Sequence, residues 1–197
     1  TDYFGVRLGA SGTTRYGMEV KIVDPDPTTN EGEVYIKGPN VMKGYYKDPD
    51  KTAEVLSKDG WFKSGDLGYI DKDGYLFLKG RSKNVIIGSN GKNIYPEEIE
   101  SVINENNNVL ESLVYESEKK LIARIHFNYE ELDREFGIQN VKESEARKKV
   151  DELLNEILVT VNKRVSTFSR INKIVEQPEP FEKTPTKKIK RYLLNSY

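Results

Sequence analysis

The chain has 197 residues, 32% of them charged and 36% apolar, with a formal net charge of −1. That length can bury a core in one large or two small domains, and the balanced charge excludes a global pull toward nucleic acid or an anionic membrane. The absence of cysteine excludes disulfides, thiolate metal sites and a cysteine nucleophile.

The first 79 residues read as short strands joined by tight turns. Met18–Val23 alternates and is broken by Asp24-Pro25-Asp26-Pro27, and Glu33–Lys37 alternates until Gly38-Pro39. Asp48–Leu56 has helix-start chemistry, with Asp48 as cap and Pro49 in the first turn. Tyr69-Ile70 and Tyr75–Leu78 flank Asp71-Lys72-Asp73-Gly74, a hairpin signal. Those aspartates lack the downstream glutamate of a calcium loop, so a turn is expected and no metal site is assigned. Trp61 reads as a packing anchor.

Beyond Arg81 the pattern mixes helix and strand, and the domain boundary is expected at Leu78–Ser82. Pro96 to about Asn106 predicts a helix whose glutamates serve its positive end and whose apolar face is Ile99, Val102 and Ile103. Leu113–Tyr115 and Leu121–Phe127 predict a pair of strands. The single histidine, His126, falls in the second and is expected to face solvent. Asn128–Lys142 reads as a charged surface excursion. Ser144–Val165 carries Val150, Leu153, Leu154, Ile157, Leu158 and Val161 at helical spacing. After Ile171 come a short strand, three prolines and a basic tail ending in helix texture. No run approaches the ~18 apolar residues of a membrane span, and no stretch has signal-peptide texture. A start at Thr1-Asp2 in place of Met suggests a piece of a longer polypeptide.

Three blocks carry chemistry. Lys63-Ser64-Gly65-Asp66 comes first. Gly80–Glu100 packs a charged turn, a short apolar strand, a glycine-bearing loop and a capped helix start. Thr184-Pro185-Thr186-Lys187-Lys188-Ile189 stands near the end. Taken singly, each has a bland alternative: a turn aspartate, a hinge-side surface arginine, a strand-to-helix loop that needs glycine. Lys183, Lys187, Lys188, Lys190 and Arg191 are likewise a basic cluster of the kind that is merely solvated or binds nucleic acid.

In this order and spacing the blocks resemble the adenylate-forming (AMP-binding) enzymes, most closely the long-chain fatty acid–CoA ligases, with Asn93–Glu100 the most specific segment. The resemblance covers nearly the whole chain but only the C-terminal third of such an enzyme. It implies an α+β fold. Residues 1–79 would be a small β-rich, distorted-barrel tail of the large N-terminal domain, and residues 80–197 a mobile α/β lid hinged near 80–84.

The implied reaction is fatty acid plus ATP and coenzyme A giving acyl-CoA, AMP and diphosphate, with Mg2+ on the triphosphate. Asp66 would accept the ribose hydroxyls, and Arg81 would reach the ribose and α-phosphate. Lys83 stands at the hinge. Gly88, Ser89, Gly91 and Lys92 would line the coenzyme A passage. Lys188 would bridge the carboxylate and α-phosphate in the first step. Lys187 stands where glycine is common, and Ile189 after Lys188 favours Lys188 over Lys187. Ser64 replaces a commoner threonine, and Asn84 a commoner aspartate.

The acyl pocket and phosphate loop of such enzymes lie in the N-terminal domain of the same polypeptide, so this chain is expected to be inactive alone. An exposed barrel surface could let it self-associate. The implied location is cytoplasmic, with peripheral membrane contact open to the full-length enzyme. Two alternatives stand beside this one: an acyl carrier protein as acceptor, and a non-catalytic binding or regulatory module of the same fold. A nucleic-acid partner is not expected, because no aromatic platform is interleaved with the arginines.

Overall fold

A computed structural model describes residues 7–193, and the chain divides into two compact units between Asn84 and Val85. In the first unit, strands β1 (Glu19–Val23), β2 (Gly32–Lys37), β3 (Phe62–Ile70) and β4 (Leu76–Arg81) pair in sequence order. All three pairings are antiparallel. Asp71 builds the β3–β4 turn by accepting the Asp73 and Tyr75 amides at 2.9 and 3.0 Å, and Gly74 supplies the left-handed residue at φ +83°. Helix α1 (Pro49–Val55) starts as its sequence dictates: Asp48 caps the Lys51 amide at 3.0 Å and Pro49 occupies the first turn.

The irregular place in this sheet is Ser64–Asp66. Glu33 pairs with Leu67 while Tyr35 pairs with Lys63, so three residues of β3 bulge opposite Val34. Gly65 takes φ +72° inside the bulge. The Ser64 hydroxyl pins both sides, donating to Val34 O at 2.7 Å and accepting from the Asp66 amide at 3.0 Å. A hydroxyl at position 64 is therefore a backbone requirement of the bulge.

The second unit begins with a short hairpin, β5 (Ile86–Ile87) and β6 (Asn93–Ile94), followed by α2 (Pro96–Ile103). Strands β7 (Val109–Ser117) and β8 (Lys120–Phe127) are antiparallel, and β9 (Lys173–Glu176) adds parallel to β8. A parallel neighbour needs a long crossover. Helices α3 (Tyr129–Phe136) and α4 (Glu143–Arg164) provide it. Every second residue of β8 (Leu121, Ala123, Ile125 and Phe127) joins the core with Ile99 and Ile103 of α2 and the apolar stripe of α4.

Three expectations are corrected here. Residues 128–142 are not merely a surface excursion. Asn128 caps α3, Gly137 ends it in a left-handed conformation, and Leu132 reaches the core. His126 is buried, 6% exposed. It lies on the β8 face away from the core, as its parity predicts, but the chain after β9 and α3 cover it: Nδ1 is 2.9 Å from Gln177 O, and Tyr129 meets the ring edge-on. The third concerns Glu100 and is taken up with the site. The expected tail helix reaches only a 3-10 turn at Arg191–Leu193 among the described residues, and the rest of that expectation lies outside them.

Phe127, 1% exposed, is among the largest fully buried side chains. Phe127→Ala is expected to lower the stability of the second unit by about 3–4 kcal/mol through lost transfer energy and a cavity. Val159→Ala, at a position 53% exposed, should stay within about 0.5 kcal/mol. Urea unfolding followed by far-UV circular dichroism measures both.

Candidate functional site

In the first unit, Asp66 and Arg81 are cross-strand partners on β3 and β4. The bulge at Ser64–Asp66 turns the aspartate toward the arginine, whose Nε stands 3.1 Å from Asp66 Oδ1. Arg81 Nη1 donates to Ser64 O at 2.9 Å, so the guanidinium is fixed at two points. The side chains remain 29% and 43% exposed, respectively. A carboxylate braced by a cation and open to solvent can accept both hydroxyls of a vicinal diol, and the guanidinium can serve a neighbouring anion. Lys83 is exposed in the 3-10 turn Ser82–Asn84.

Gly88, Ser89, Gly91 and Lys92 form the loop between β5 and β6. Gly91 N–H donates to Gly88 O at 2.8 Å, Gly88 N–H donates to Lys92 O at 2.9 Å, and Gly91 holds φ +74°. Nothing lies within 4 Å of where a Gly91 Cβ would stand, so its glycine is required by backbone angle and not by crowding. Gly88 and Ser89 border an open cleft of about 510 Å³ with Ile86, Phe168 and Arg170. Lys92 Nζ sits 4.8 Å from the Phe168 ring centre.

Lys188 stands in a second hairpin with the same hydrogen-bond pattern. Lys187 N–H donates to Thr184 O and Thr184 N–H donates to Lys188 O, each at 2.8 Å, and Lys187 is left-handed at φ +62°. The Thr184 hydroxyl accepts the Lys188 amide at 3.1 Å. Lys187 thus occupies the turn position where glycine fits best, and Lys188 is the residue that follows it.

The basic cluster separates into two kinds of residue. Lys183 pairs with Glu111 at 2.5 Å, Lys190 with Glu182 at 3.1 Å, and Arg191 with Glu100. Among the described residues, Lys187 and Lys188 meet no acid and are exposed. Lys183 and Arg191 tie the tail to β7 and α2, Lys190 closes across the tail's own two legs, and Lys187 and Lys188 form no ion pair among the described residues.

Glu100 is the residue that sequence reasoning misassigned to the helix end. It is 7% exposed, and its carboxylate takes the Val114 amide at 2.6 Å and both Arg191 nitrogens, Nη1 at 2.8 Å. Burial pushes its carboxyl above the usual range, and Arg191 opposes that shift. The signal was present in the sequence. Pro96, Ile99, Glu100 and Ile103 share the buried face of α2, and an acid at such a position demands a buried cation. Among the described residues, no group of three or more His, Cys, Asp or Glu is arranged to hold a metal ion.

An antiparallel sheet followed by a mixed three-stranded sheet with helices is the α+β architecture of the C-terminal region of adenylating enzymes. An O-succinylbenzoate coenzyme A synthetase from Bacillus subtilis, solved with AMP, superposes over 97% of this chain and 36% of its own, with a TM-score of 0.73 and 26% identity. Residues 83–196 match the AMP-binding enzyme C-terminal domain, and the chain belongs to the AMP-binding enzyme family. The 4-coumarate–CoA ligase-like 4 of Oryza sativa subsp. japonica is 37% identical over 85% of this chain. The chloroplastic long-chain-fatty-acid–[acyl-carrier-protein] ligase AEE15 of Arabidopsis thaliana is 38% identical over 64% of it. The chain spans 29% and 20% of those two proteins, less than a third of either.

A lysine at φ +62° carries about 1 kcal/mol of strain, and a β-branched residue there carries more. Lys187→Val is expected to speed hydrogen exchange at the Thr184 and Lys188 amides about five- to tenfold by destabilising the turn. Lys187→Gly should leave exchange unchanged or slower.

Proposed function

We propose that this chain is the C-terminal portion of an ATP-dependent acid–CoA ligase, with residues 80–84, Lys83 among them, as the hinge of its lid. The observation that carries this reading is the division of labour in the lysine hairpin. A hairpin anchored to β7 and α2 by two ion pairs, and braced across its own legs by a third, presents Lys188 with no acid to neutralise it among the described residues. Membership of the AMP-binding enzymes supports it, as does the braced Asp66–Arg81 pair.

In the first step the acid's carboxylate attacks the α-phosphorus and diphosphate departs. Asp66 holds the ribose hydroxyls, Arg81 steadies the phosphate side, and Lys188 neutralises charge on the attacking carboxylate and α-phosphoryl oxygens. Mg2+, when bound, would neutralise charge on the triphosphate. In the second step the coenzyme A thiol attacks the acyl carbon and AMP leaves. Gly88, Ser89, Gly91 and Lys92 border the thiol's passage, where an exposed left-handed glycine keeps the wall low.

A long-chain fatty acid is the narrower substrate we propose, supported by the Asn93–Glu98 and Thr186–Ile189 variants and by the Arabidopsis relative. The same relative's acceptor, an acyl carrier protein, makes such a carrier the second reading. The rice relative supports an aromatic acid as strongly as a fatty one. With less than a third of its relatives' length, the chain alone is expected to be inactive. No helix among the described residues is long and apolar enough to cross a membrane.

The test uses the full-length polypeptide with fatty acids of several lengths and 4-coumarate. Acid-dependent ATP–diphosphate exchange and thioester formation from supplied acyl-adenylate are scored separately, with coenzyme A or carrier protein as acceptor. Lys188→Ala is expected to lower exchange about 10²–10³-fold, the scale for losing one transition-state charge partner, while thioester formation stays within about threefold. No exchange with any acid in the unsubstituted protein would contradict the ligase reading.

A further inference from the structure

The Lys188 side chain is exposed, so no packing fixes its ammonium. Where that charge goes is decided by the hairpin backbone, and the backbone is decided by how its two legs are fastened. The incoming leg has Phe181 in the interior and Lys183 paired with Glu111 of β7 at 2.5 Å. The outgoing leg ends, three residues after Lys188, in Arg191. That guanidinium forms a two-pronged pair with Glu100 on α2, comes within 3.8 Å of Glu97, and reaches Val114 O of β7 at 3.5 Å. Glu100 also holds the Val114 amide at 2.6 Å. One buried carboxylate thus binds helix, sheet and hairpin together. The bond is directional as well as ionic, because a planar fork on a carboxylate fixes orientation where a lysine would fix only distance.

We infer that Arg191 and Glu100 are positioning residues for the adenylation step, setting the place of Lys188 through the outgoing leg of its hairpin. They touch no reacting atom. This rests on the ligase reading above, and it deepens it. Because Lys188 serves only the first step, the effect of the pair must be confined to that step.

Removing one partner strands a buried charge and can unfold the unit, so the informative variant removes both: Glu100→Leu with Arg191→Met, an apolar pair of similar volume that leaves no orphaned ion. In the full-length polypeptide this variant is expected to lose at least about tenfold in acid-dependent ATP–diphosphate exchange and to change thioester formation from supplied acyl-adenylate by less than about threefold. Introduced into Lys188→Ala, it should change the remaining exchange by less than about twofold, because residues acting through one group do not add. Arg191→Lys alone should fall between the unsubstituted protein and the double variant.

Unchanged exchange, an equal fall in both half-reactions, or losses that multiply with Lys188→Ala would each overturn the inference while leaving the ligase reading intact. A double variant that fails to fold, with Arg191→Lys folding and keeping full exchange, would also overturn it. Absence of exchange in the unsubstituted protein would remove the ligase reading, and this inference with it.

Discussion

A carboxylate on the apolar face of α2 is the constraint around which the second unit is arranged. Glu100 lies between Ile99 and Ile103 and is 7% exposed. Its ionised form would be costly there without a partner, and removing one member of such a pair costs about 3–5 kcal/mol. The Val114 amide satisfies part of the demand, and Arg191, distant in sequence, supplies the charge. The terminal segment therefore has to return across β7 to α2. In returning it forms a hairpin whose tip carries Lys187 and Lys188, the two members of the basic cluster that form no ion pair among the described residues.

The two candidate chemical loops of this unit are the same turn written in different residues. Each closes with an i to i+3 amide bond, places a left-handed residue fourth, and is bridged back to its first residue. In the β5–β6 loop the fourth residue is Gly91, and in the tail hairpin it is Lys187. A lysine accepts that conformation at a modest penalty and adds a second cation beside Lys188. The glycine leaves open space where a side chain would stand. One geometry thus presents a pair of cations in one place and an unobstructed glycine in the other.

Local chemistry made most of the fold legible. Asp48 before Pro49, Asp71 in its turn and the α4 stripe each encode their element within a few residues. The α+β class and the chemical blocks were legible through motif order. What was missed depends on long-range contact. Asn128–Lys142 reads as charged, but Tyr129, Leu132 and Phe136 stand at helical spacing behind the Asn128 cap and pack on the core, a short stripe that the surrounding charges obscured. His126 had the right strand parity, and its burial comes from Tyr129 of α3 together with Gln177, 51 residues away. Ser64 looked like a conservative exchange, and only the bulge opposite Val34 gives its hydroxyl a purpose. Glu100 could have been suspected from its helical position, yet its partner lies 91 residues away and could not be picked from five basic neighbours by spacing.

In the proposed function, the braced carboxylate and arginine of one unit and the lysine and glycine loop of the other serve one adenylate-forming reaction. That reaction requires the acid's own oxygen to attack the α-phosphorus. Carboxylate labelled with oxygen-18, supplied to the full-length polypeptide with ATP and coenzyme A, tests that directly. Mass spectrometry of the products should find one labelled oxygen in the phosphate of AMP, carried there when the thiol breaks the acyl–oxygen bond. Label appearing in inorganic phosphate, or remaining wholly with the acid while thioester forms, would contradict adenylate formation.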